Sequence, residues 1–425
     1  MRPNHTILSR QMRWPKDMKI CQTHYAFYPT TGGVESHLLD LCAELVAEGH
    51  EVHALVGSLQ GSPSEETLQG VEVHRRDLMN PMIIREHKKE AGFEEEDVWP
   101  QLQERVRELY DDFADEHDIE VFHAHNFHHF LPEYGLALTQ LHQEGMPTFL
   151  TVHEVWSKFI CKDLLHRTEW DGIISVSQHT HEELMEQAPH LDNVRLIYHG
   201  IDTDNLFTPD NTNTKWADEL GLHDRRVIIH PARMLPWKGV IYSVDAMDAI
   251  RDRFPDSLLI LTDTEDIVDW VGELKGYKEE VLKRIEELGL QDHIITQPFP
   301  YLELPWVYNH CEVVIYPTIG EEPFGLVPVE AMACGKPAVV SRSGGLPESV
   351  VDGETGYIIP KKDTEALVDR LRRLMENEKL RQEMGRAGRR RATEVFTRQR
   401  MAREVVETYE SGVREPVEAA AISAK

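Results

Sequence analysis

Hydrophobic and polar positions follow two patterns that alternate along the chain. Short apolar runs, each the length of a buried strand, are followed by longer stretches in which apolar residues recur at helical spacing. The first unit places a strand at 19–24, a helix at 34–48 and a second strand at 52–56. Alternation of this kind is typical of a parallel sheet whose strands are connected by crossover helices. The pattern therefore predicts an α/β fold.

The same pattern occurs in two separate parts of the chain. Near 202–216 the apolar periodicity gives way to Thr, Asp, Asn and Pro, which are typical of loops and linkers. Further strands are predicted on either side of this break, at 121–124, 148–152, 172–176, 194–197, 227–230, 258–262, 294–296, 313–316 and 338–341. We predict two Rossmann-like, doubly wound domains that face a central cleft, where open parallel sheets bind their ligands.

These features divide the chain into five parts. We predict a flexible N-terminal extension at 1–17, a first domain at 18–202, a linker at 203–222 and a second domain at 223–397. Residues 398–425 are predicted to form a helix that crosses back to the first domain, followed by a tail.

The charge of the chain excludes one class of partner. Its 74 acidic residues outnumber the 45 lysines and arginines, which gives a formal net charge of −29. A surface this negative repels the phosphate backbone of nucleic acids at long range. We therefore expect no nucleic-acid partner.

The five cysteines are scattered, and no two of them form a CxxC pair. This spacing argues against a disulfide framework and against a structural zinc site. The sequence also has no signal-peptide-like start and no apolar run of the length that spans a bilayer. We expect a cytoplasmic protein, and peripheral contact with the inner face of a membrane stays open.

The strongest chemical signal is a pair of glutamates between a predicted strand and a predicted helix. Glu322 lies eight positions before Glu330, and eight helical steps turn the chain by about 800°, close to a whole number of turns. Both carboxylates can therefore address one ligand, and a carboxylate on the helix can accept hydrogen bonds from a vicinal diol such as a ribose. The N–H groups that begin the helix suit a phosphate. They belong to Gly325, Leu326 and Val327.

This stretch resembles the E-x7-E signature of the retaining nucleotide-sugar glycosyltransferases of family four, which fold as two Rossmann-like domains (the GT-B type). The resemblance extends from residue 18 to about 392. Other motifs agree with it in order: GGVESH at 32–37, GHEV at 49–52, TVH at 151–153, HGID at 199–202, AR at 232–233, KG at 238–239, GGLPE at 344–348 and DG at 352–353. The resemblance implies an acceptor-side first domain and a donor-binding second domain.

The resemblance also implies roles for three residues. Glu322 faces the donor sugar near its reacting carbon, Glu330 binds the nucleotide ribose, and His153 resembles a first-domain histidine that contacts the donor sugar. Glu322 and His153 are therefore the candidate catalytic residues. Relatives often carry Asp next to this histidine, where the present chain has Glu154.

A second set of residues is implied to bind the diphosphate of the donor. Arg233 and Lys238 neutralise the leaving group, and the loop of Gly32 and Gly33 lies against the pyrophosphate. The chemistry agrees, because negative charge develops on the departing phosphate and two cations with helix-end N–H groups can stabilise it. We therefore expect no cofactor and no metal ion, with a nucleotide diphosphate sugar as donor substrate.

The expected activity is transfer of a hexosyl unit, with retention, to a glycan, a lipid-linked or a small-molecule acceptor. Two alternatives stay open: a nucleotide-sugar epimerase of the same architecture, and a non-catalytic protein that binds sugar nucleotides. A dinucleotide dehydrogenase is disfavoured, because no GxGxxG motif follows a predicted strand with an acidic residue at the usual spacing. The donor base, the sugar, the acceptor and the oligomeric state are left open.

Two further clusters attract attention. Four histidines lie in or shortly after the predicted strand at 121–124, and they are His123, His125, His128 and His129. A metal site there is disfavoured, since no Cys or carboxylate completes a familiar ligand set, and we expect these side chains to line the acceptor side. The segment 83–89 is rich in cations and is either a surface for an anionic or lipid-linked acceptor or an ordinary solvated face.

Overall fold

The structure is a computed structural model that describes residues 17–30, 32–95, 97–128, 131–155, 160–263 and 274–412. The predicted N-terminal extension, apart from residue 17, and the predicted C-terminal tail lie outside these residues. Among the helices of the described ranges, none combines the length and the apolar character needed to cross a bilayer.

The first domain is built around an eight-stranded sheet. Its elements are β1 (Lys19–Thr23), α1 (Gly33–Ala47), β2 (Glu51–Gly57), β3 (Glu65–Leu68), β4 (Val71–Arg76), α2 (Pro81–Glu90), α3 (Pro100–His117), β5 (Val121–His125), α4 (Pro132–Gln143), β6 (Thr148–Val152), α5 (Ile160–Arg167), β7 (Gly172–Ser175), α6 (Gln178–Gln187) and β8 (Val194–Leu196). The strand order is β3-β4-β2-β1-β5-β6-β7-β8. Every neighbouring pair is parallel except β3 and β4, which form an antiparallel edge.

The second domain is built around a six-stranded parallel sheet of order β11-β10-β9-β12-β13-β14. Its elements are α7 (Lys215–Leu220), β9 (Arg226–His230), α8 (Val240–Arg251), β10 (Ser257–Thr262), α9 (Leu274–Glu287), β11 (Ile294–Gln297), α10 (Leu304–His310), β12 (Val313–Tyr316), α11 (Leu326–Ala333), β13 (Ala338–Ser341), α12 (Leu346–Ser349), β14 (Gly356–Ile359), α13 (Thr364–Glu376) and α14 (Glu378–Val395). A final helix, α15 (Arg398–Gly412), follows.

The prediction of two Rossmann-like α/β domains is confirmed, and three strands were missed. Strand β3 lies on the sheet edge with no buried residue, so it carries no hydrophobic signal. Strand β4 alternates apolar with charged and histidine side chains, and β14 is only four residues long. Part of the predicted linker is helical, because α7 packs its Trp216 edge-on against Phe299 of the second domain.

Helix α15 packs against α1 and β7 of the first domain. Its Tyr409 is fully buried, and the hydroxyl lies 2.7 Å from Nδ1 of His123 and accepts a 3.0 Å hydrogen bond from the side chain of Gln22. Helix α15 is therefore anchored to the first domain.

One half-buried cation lies where the two domains and α15 meet. The Arg398 guanidinium lies 2.8 Å from the carboxylate of Glu44, 3.1 Å from that of Asp202 and 3.9 Å from that of Asp40. Tyr301 of the second domain donates a 2.8 Å hydrogen bond to Asp40. Burial raises the pKa of Asp40 to about 7, although the Tyr301 hydroxyl and Arg398 oppose the shift. This network fixes α1 against the second domain.

Candidate active site between the two domains

The Glu322 carboxylate is held in place by a cation and a phenol at the carboxyl end of the second sheet. Its Oε2 lies 2.7 Å from Nζ of Lys238 and accepts a 2.9 Å hydrogen bond from the hydroxyl of Tyr316, the last residue of β12. The Lys238 ammonium also donates to that hydroxyl, at 2.6 Å. Both charged side chains are about one-seventh exposed. The sequence placed Glu322 and Lys238 in one site, and the structure joins them directly.

The loop that carries Glu322 is pressed against the turn at Gly344. That glycine has φ of 48°, and a Cβ added there would lie 2.1 Å from the carbonyl oxygen of Glu322. The N–H of Gly345 donates to the same oxygen at 2.8 Å. The GGLPE motif therefore positions the Glu322 loop.

Helix α11 begins directly after this loop. Gly325 precedes the helix without a side-chain cap, so the first N–H groups, which include those of Leu326 and Val327, have no side-chain partner within it. Glu330 lies on the buried part of α11 and is 5% exposed. Tyr308 donates a 2.8 Å hydrogen bond to Oε2 of Glu330, and burial raises the pKa of the Glu330 carboxyl to about 7.

The opposite wall of the cleft is a group of buried histidines. Nε2 of His153 lies 2.9 Å from Nδ1 of His125, and Nδ1 of His153 lies 3.3 Å from Nε2 of His199. The ring of His37 packs edge-on against that of His153, with 4.8 Å between centroids. Burial lowers the pKa of His37 to about 3 and that of the other three well below the ordinary value. These rings are neutral at physiological pH.

Sequence reasoning gave no role to His37 or His199, although both lie in motifs that were recognised. Within the described residues, both ring nitrogens of His37 and Nδ1 of His199 are buried without a hydrogen-bond partner. Leaving such groups unpaired is costly, so nitrogens of this kind indicate a surface that binds a polar ligand. A histidine four residues after the two-glycine loop, near the start of α1, was the signal that could have found His37.

Arg233 lies among carboxylates rather than alone. Burial raises the pKa values of Glu35 and Glu154, that of Glu154 to about 8, and the charge of Arg233 opposes both shifts. The Glu35 carboxylate occupies the space beside Gly32, since a Cβ there would lie 2.2 Å from its Oε2. Gly33 is exposed with open space around it. The sequence analysis missed Glu35, which the two-glycine loop admits to the cleft.

Phe324 connects the two walls of the cleft. It is buried, and its ring contacts those of Tyr198, His199 and Phe396 at centroid distances of 5.9, 5.1 and 5.8 Å. Ser177, at the start of α6, donates a hydrogen bond to the carbonyl oxygen of Pro323, the residue before Phe324. The second-domain loop that carries Glu322 thus docks on the first domain, beside the histidine group.

Glu348 reinforces this docking from the GGLPE motif. Its carboxylate accepts hydrogen bonds from the N–H groups of Gln178 and His179, at 2.7 and 2.9 Å. An acidic side chain at a helix N-terminus is favoured by the helix dipole.

Two expectations about side chains around the cleft are corrected. His123 does not face an acceptor, because its ring nitrogens lie 2.7 Å from the hydroxyls of Thr151 and Tyr409 inside the domain. In the basic segment, Lys88 is buried and donates to Glu133 at 2.9 Å, and Arg85 pairs with Glu95. Two of that segment's cations therefore serve the fold. His129 lies outside the described residues.

Two family models match the chain in succession. Residues 31–205 match Glycosyltransferase Family 4, and residues 212–391 match Glycosyl transferases group 1. Together the two matches span most of the sequence. The chain belongs to the glycosyltransferases. The two matched regions coincide with the two sheets that form the cleft.

Curated relatives of this glycosyltransferase differ in what they are named for. A GDP-mannose-dependent α-(1-6)-phosphatidylinositol monomannoside mannosyltransferase of Mycolicibacterium smegmatis is 29% identical over 248 residues, which span 56% of this chain and 62% of the relative. A glycogen synthase of Mycobacterium tuberculosis is 26% identical in an alignment that covers 94% of this chain and 97% of that protein.

A solved structure supports the fold over nearly the whole chain. The structure of Anabaena HepE in complex with UDP-glucose superposes with a TM-score of 0.69 and 21% identity, and covers 93% of this chain and all of that one. At this identity the likeness extends to the architecture of two facing Rossmann-like domains.

We expect Gly344→Ala to destabilise the protein more than Gly353→Ala. Both glycines have positive φ, so each substitution carries about 1 kcal/mol of left-handed strain, but only at 344 does the new Cβ meet backbone. The clash should add about 2 kcal/mol. Urea denaturation of both variants measures the difference, and equal losses would show that the Glu322 loop does not depend on this contact.

Proposed function

We propose that the protein transfers a hexosyl unit from a nucleotide diphosphate sugar to an acceptor hydroxyl, with retention at the anomeric carbon. The observation that carries the proposal is the Glu322 carboxylate, fixed by Lys238 and Tyr316 and docked beside buried neutral histidines. The acceptor is a glycan, a lipid-linked or a small molecule.

The cationic side of the cleft suits the leaving group. As the bond from the anomeric carbon to the β-phosphate oxygen breaks, negative charge develops on the diphosphate. Arg233, Lys238 and the first N–H groups of α11 supply positive charge there without a metal ion or a cofactor. The acceptor oxygen bonds to the anomeric carbon from the same face, and its proton passes to the departing phosphate. The loop of Gly32 and Gly33 is proposed to lie against the pyrophosphate with its open side at Gly33, because the Glu35 carboxylate lies beside Gly32.

The neutral side of the cleft suits the sugar. A neutral imidazole donates from one nitrogen and accepts at the other, so it can bond sugar hydroxyls in either sense. His153 is proposed to bond the donor sugar, and the unpartnered nitrogens of His37 and His199 support a polar ligand at that wall. A charged imidazolium there would attract the diphosphate instead, so the low pKa values favour this separation of roles.

Glu330 is proposed to bind the ribose of the donor. Two hydroxyl donors of a vicinal diol would favour the ionised carboxylate, which burial alone disfavours. The Tyr308 hydroxyl donates to Oε2 of Glu330, and the carboxylate keeps further acceptor capacity for the ligand.

We expect Glu322→Gln to lower donor turnover by about 100-fold or more while leaving donor affinity within a few-fold, because the amide removes negative charge beside the reacting carbon. Glu321→Gln is the matched control, since Glu321 is the adjacent residue and its own carboxylate is 57% exposed and pairs with Lys361. Turnover of nucleotide sugars by both variants decides the matter. A Glu322→Gln enzyme as fast as Glu321→Gln would remove Glu322 from the mechanism.

We expect nucleoside diphosphate binding to weaken, by about three- to tenfold, as the pH rises from 7 to 9. Glu154 is largely protonated below its pKa of about 8 and becomes negative above it, close to Arg233 and Lys238. Calorimetric titrations of wild type and Glu154→Gln test this. The variant should lose the pH dependence, and an equal fall in both proteins would assign the effect to another group.

A further inference from the structure

A second histidine cluster lies in the first domain, away from the cleft. It comprises His53 of β2, His74 of β4 and His117, the last residue of α3. Each offers a ring nitrogen, and the three nitrogens lie within 4.8 Å of one another. His53 and His74 are buried and His117 is half-buried. Since His53 is near the start of its strand, the cluster lies towards the sheet edge opposite the strand ends that form the cleft.

The positions of the ring hydrogens follow from two neighbouring carboxylates. Nε2 of His53 lies 3.1 Å from Oε1 of Glu51, and Nδ1 of His74 lies 2.6 Å from Oε2 of Glu65. A ring nitrogen this close to a carboxylate oxygen carries the hydrogen, because the carboxylate can only accept. A neutral imidazole has one such hydrogen, so the remaining nitrogen of each ring has a lone pair.

These two lone pairs face each other. Nδ1 of His53 and Nε2 of His74 are 3.0 Å apart, which is hydrogen-bond distance for a pair in which neither atom has a hydrogen to donate. A cation that accepts both lone pairs would relieve this contact.

We propose that His53, His74 and His117 bind a divalent transition-metal ion, with zinc as the best match. Zinc binds imidazole nitrogen at about 2.0–2.1 Å in tetrahedral geometry, which places ligand nitrogens about 3.3 Å apart, close to the His53–His74 separation. The His117 ring is within reach, since its centroid lies 4.7 and 4.6 Å from those of His53 and His74. Water completes the tetrahedron.

The surroundings support a metal site rather than a chance cluster. Histidine ligands of metals commonly donate their other ring hydrogen to a carboxylate, which fixes the tautomer and raises ligand basicity. Glu51 and Glu65 provide this for two of the three ligands. Lys19 and Arg76 pair with these carboxylates at 3.5 and 2.5 Å and so hold them in position. The bound ion would join β2, β4 and the end of α3, independently of the proposed sugar transfer.

The test uses the full chain, stripped with a chelator, given one equivalent of zinc sulfate and desalted. We expect about one zinc per chain by elemental analysis and a higher melting temperature, because an ion that binds the folded state stabilises it. His117→Ala should abolish retention, and His117→Cys, which restores a zinc ligand, should recover it. Glu65→Gln should weaken zinc binding by about 10- to 100-fold. His190→Ala, at an exposed histidine, is the matched control.

Three outcomes would overturn the proposal. The wild type could retain no zinc, or His117→Ala could retain as much as the wild type. Zinc could also be lost in His153→Asn and kept in His117→Ala. That result would place the ion on the cleft histidines His37, His125 and His153, whose nitrogens also lie within 4.8 Å of one another.

A folding control accompanies these measurements. Since His117 is half-buried at a helix end, circular dichroism should show that its variants keep the fold.

Discussion

The arrangement of the cleft depends on one half-buried guanidinium. Arg398 pairs with Glu44 and Asp202 and lies 3.9 Å from Asp40 where α1, the end of the first domain and α15 converge. Removal of the cation would leave buried carboxylates without their partner, which is strongly destabilising, so the arginine stabilises the packing of these elements. Helix α1 brings the two-glycine loop and His37 to the cleft, and Asp202 follows shortly after His199. The same ion-pair network therefore helps to position His37 and His199, two members of the buried histidine group.

The cleft separates neutral from charged chemistry. Histidines on the first domain lose their charge through burial, whereas the second domain presents Arg233 and the Lys238–Glu322 pair. Phe324 joins the two regions, because it lies close to Glu322 in the sequence and packs on His199, which contacts His153. A substrate with a neutral polyhydroxylated part and an anionic part matches this division. The overall charge of −29 is compatible with it, since a few local cations are enough for one diphosphate.

Local patterns predicted the two sheets and the glutamate loop, because buried parallel strands and glycine-rich turns leave signals within a few residues. Contacts between distant residues could not be predicted in this way. Tyr409 binds His123 from 286 positions away, which turned an expected acceptor-side histidine into a structural one. The pairing of His53 with His74 likewise depends on β4, a strand whose charged positions obscured its hydrophobic pattern.

The anomeric configuration of the first sugar product tests the central claim most directly. The protein is incubated with the best-binding member of a panel of nucleotide sugars, and the sugar transferred to acceptor or to water is followed by proton NMR before it mutarotates. An α-linked donor should give the α-configured product first, with nucleoside diphosphate released in equal amount. Initial formation of the β-anomer, or the absence of binding to every nucleotide sugar of the panel, would contradict the account.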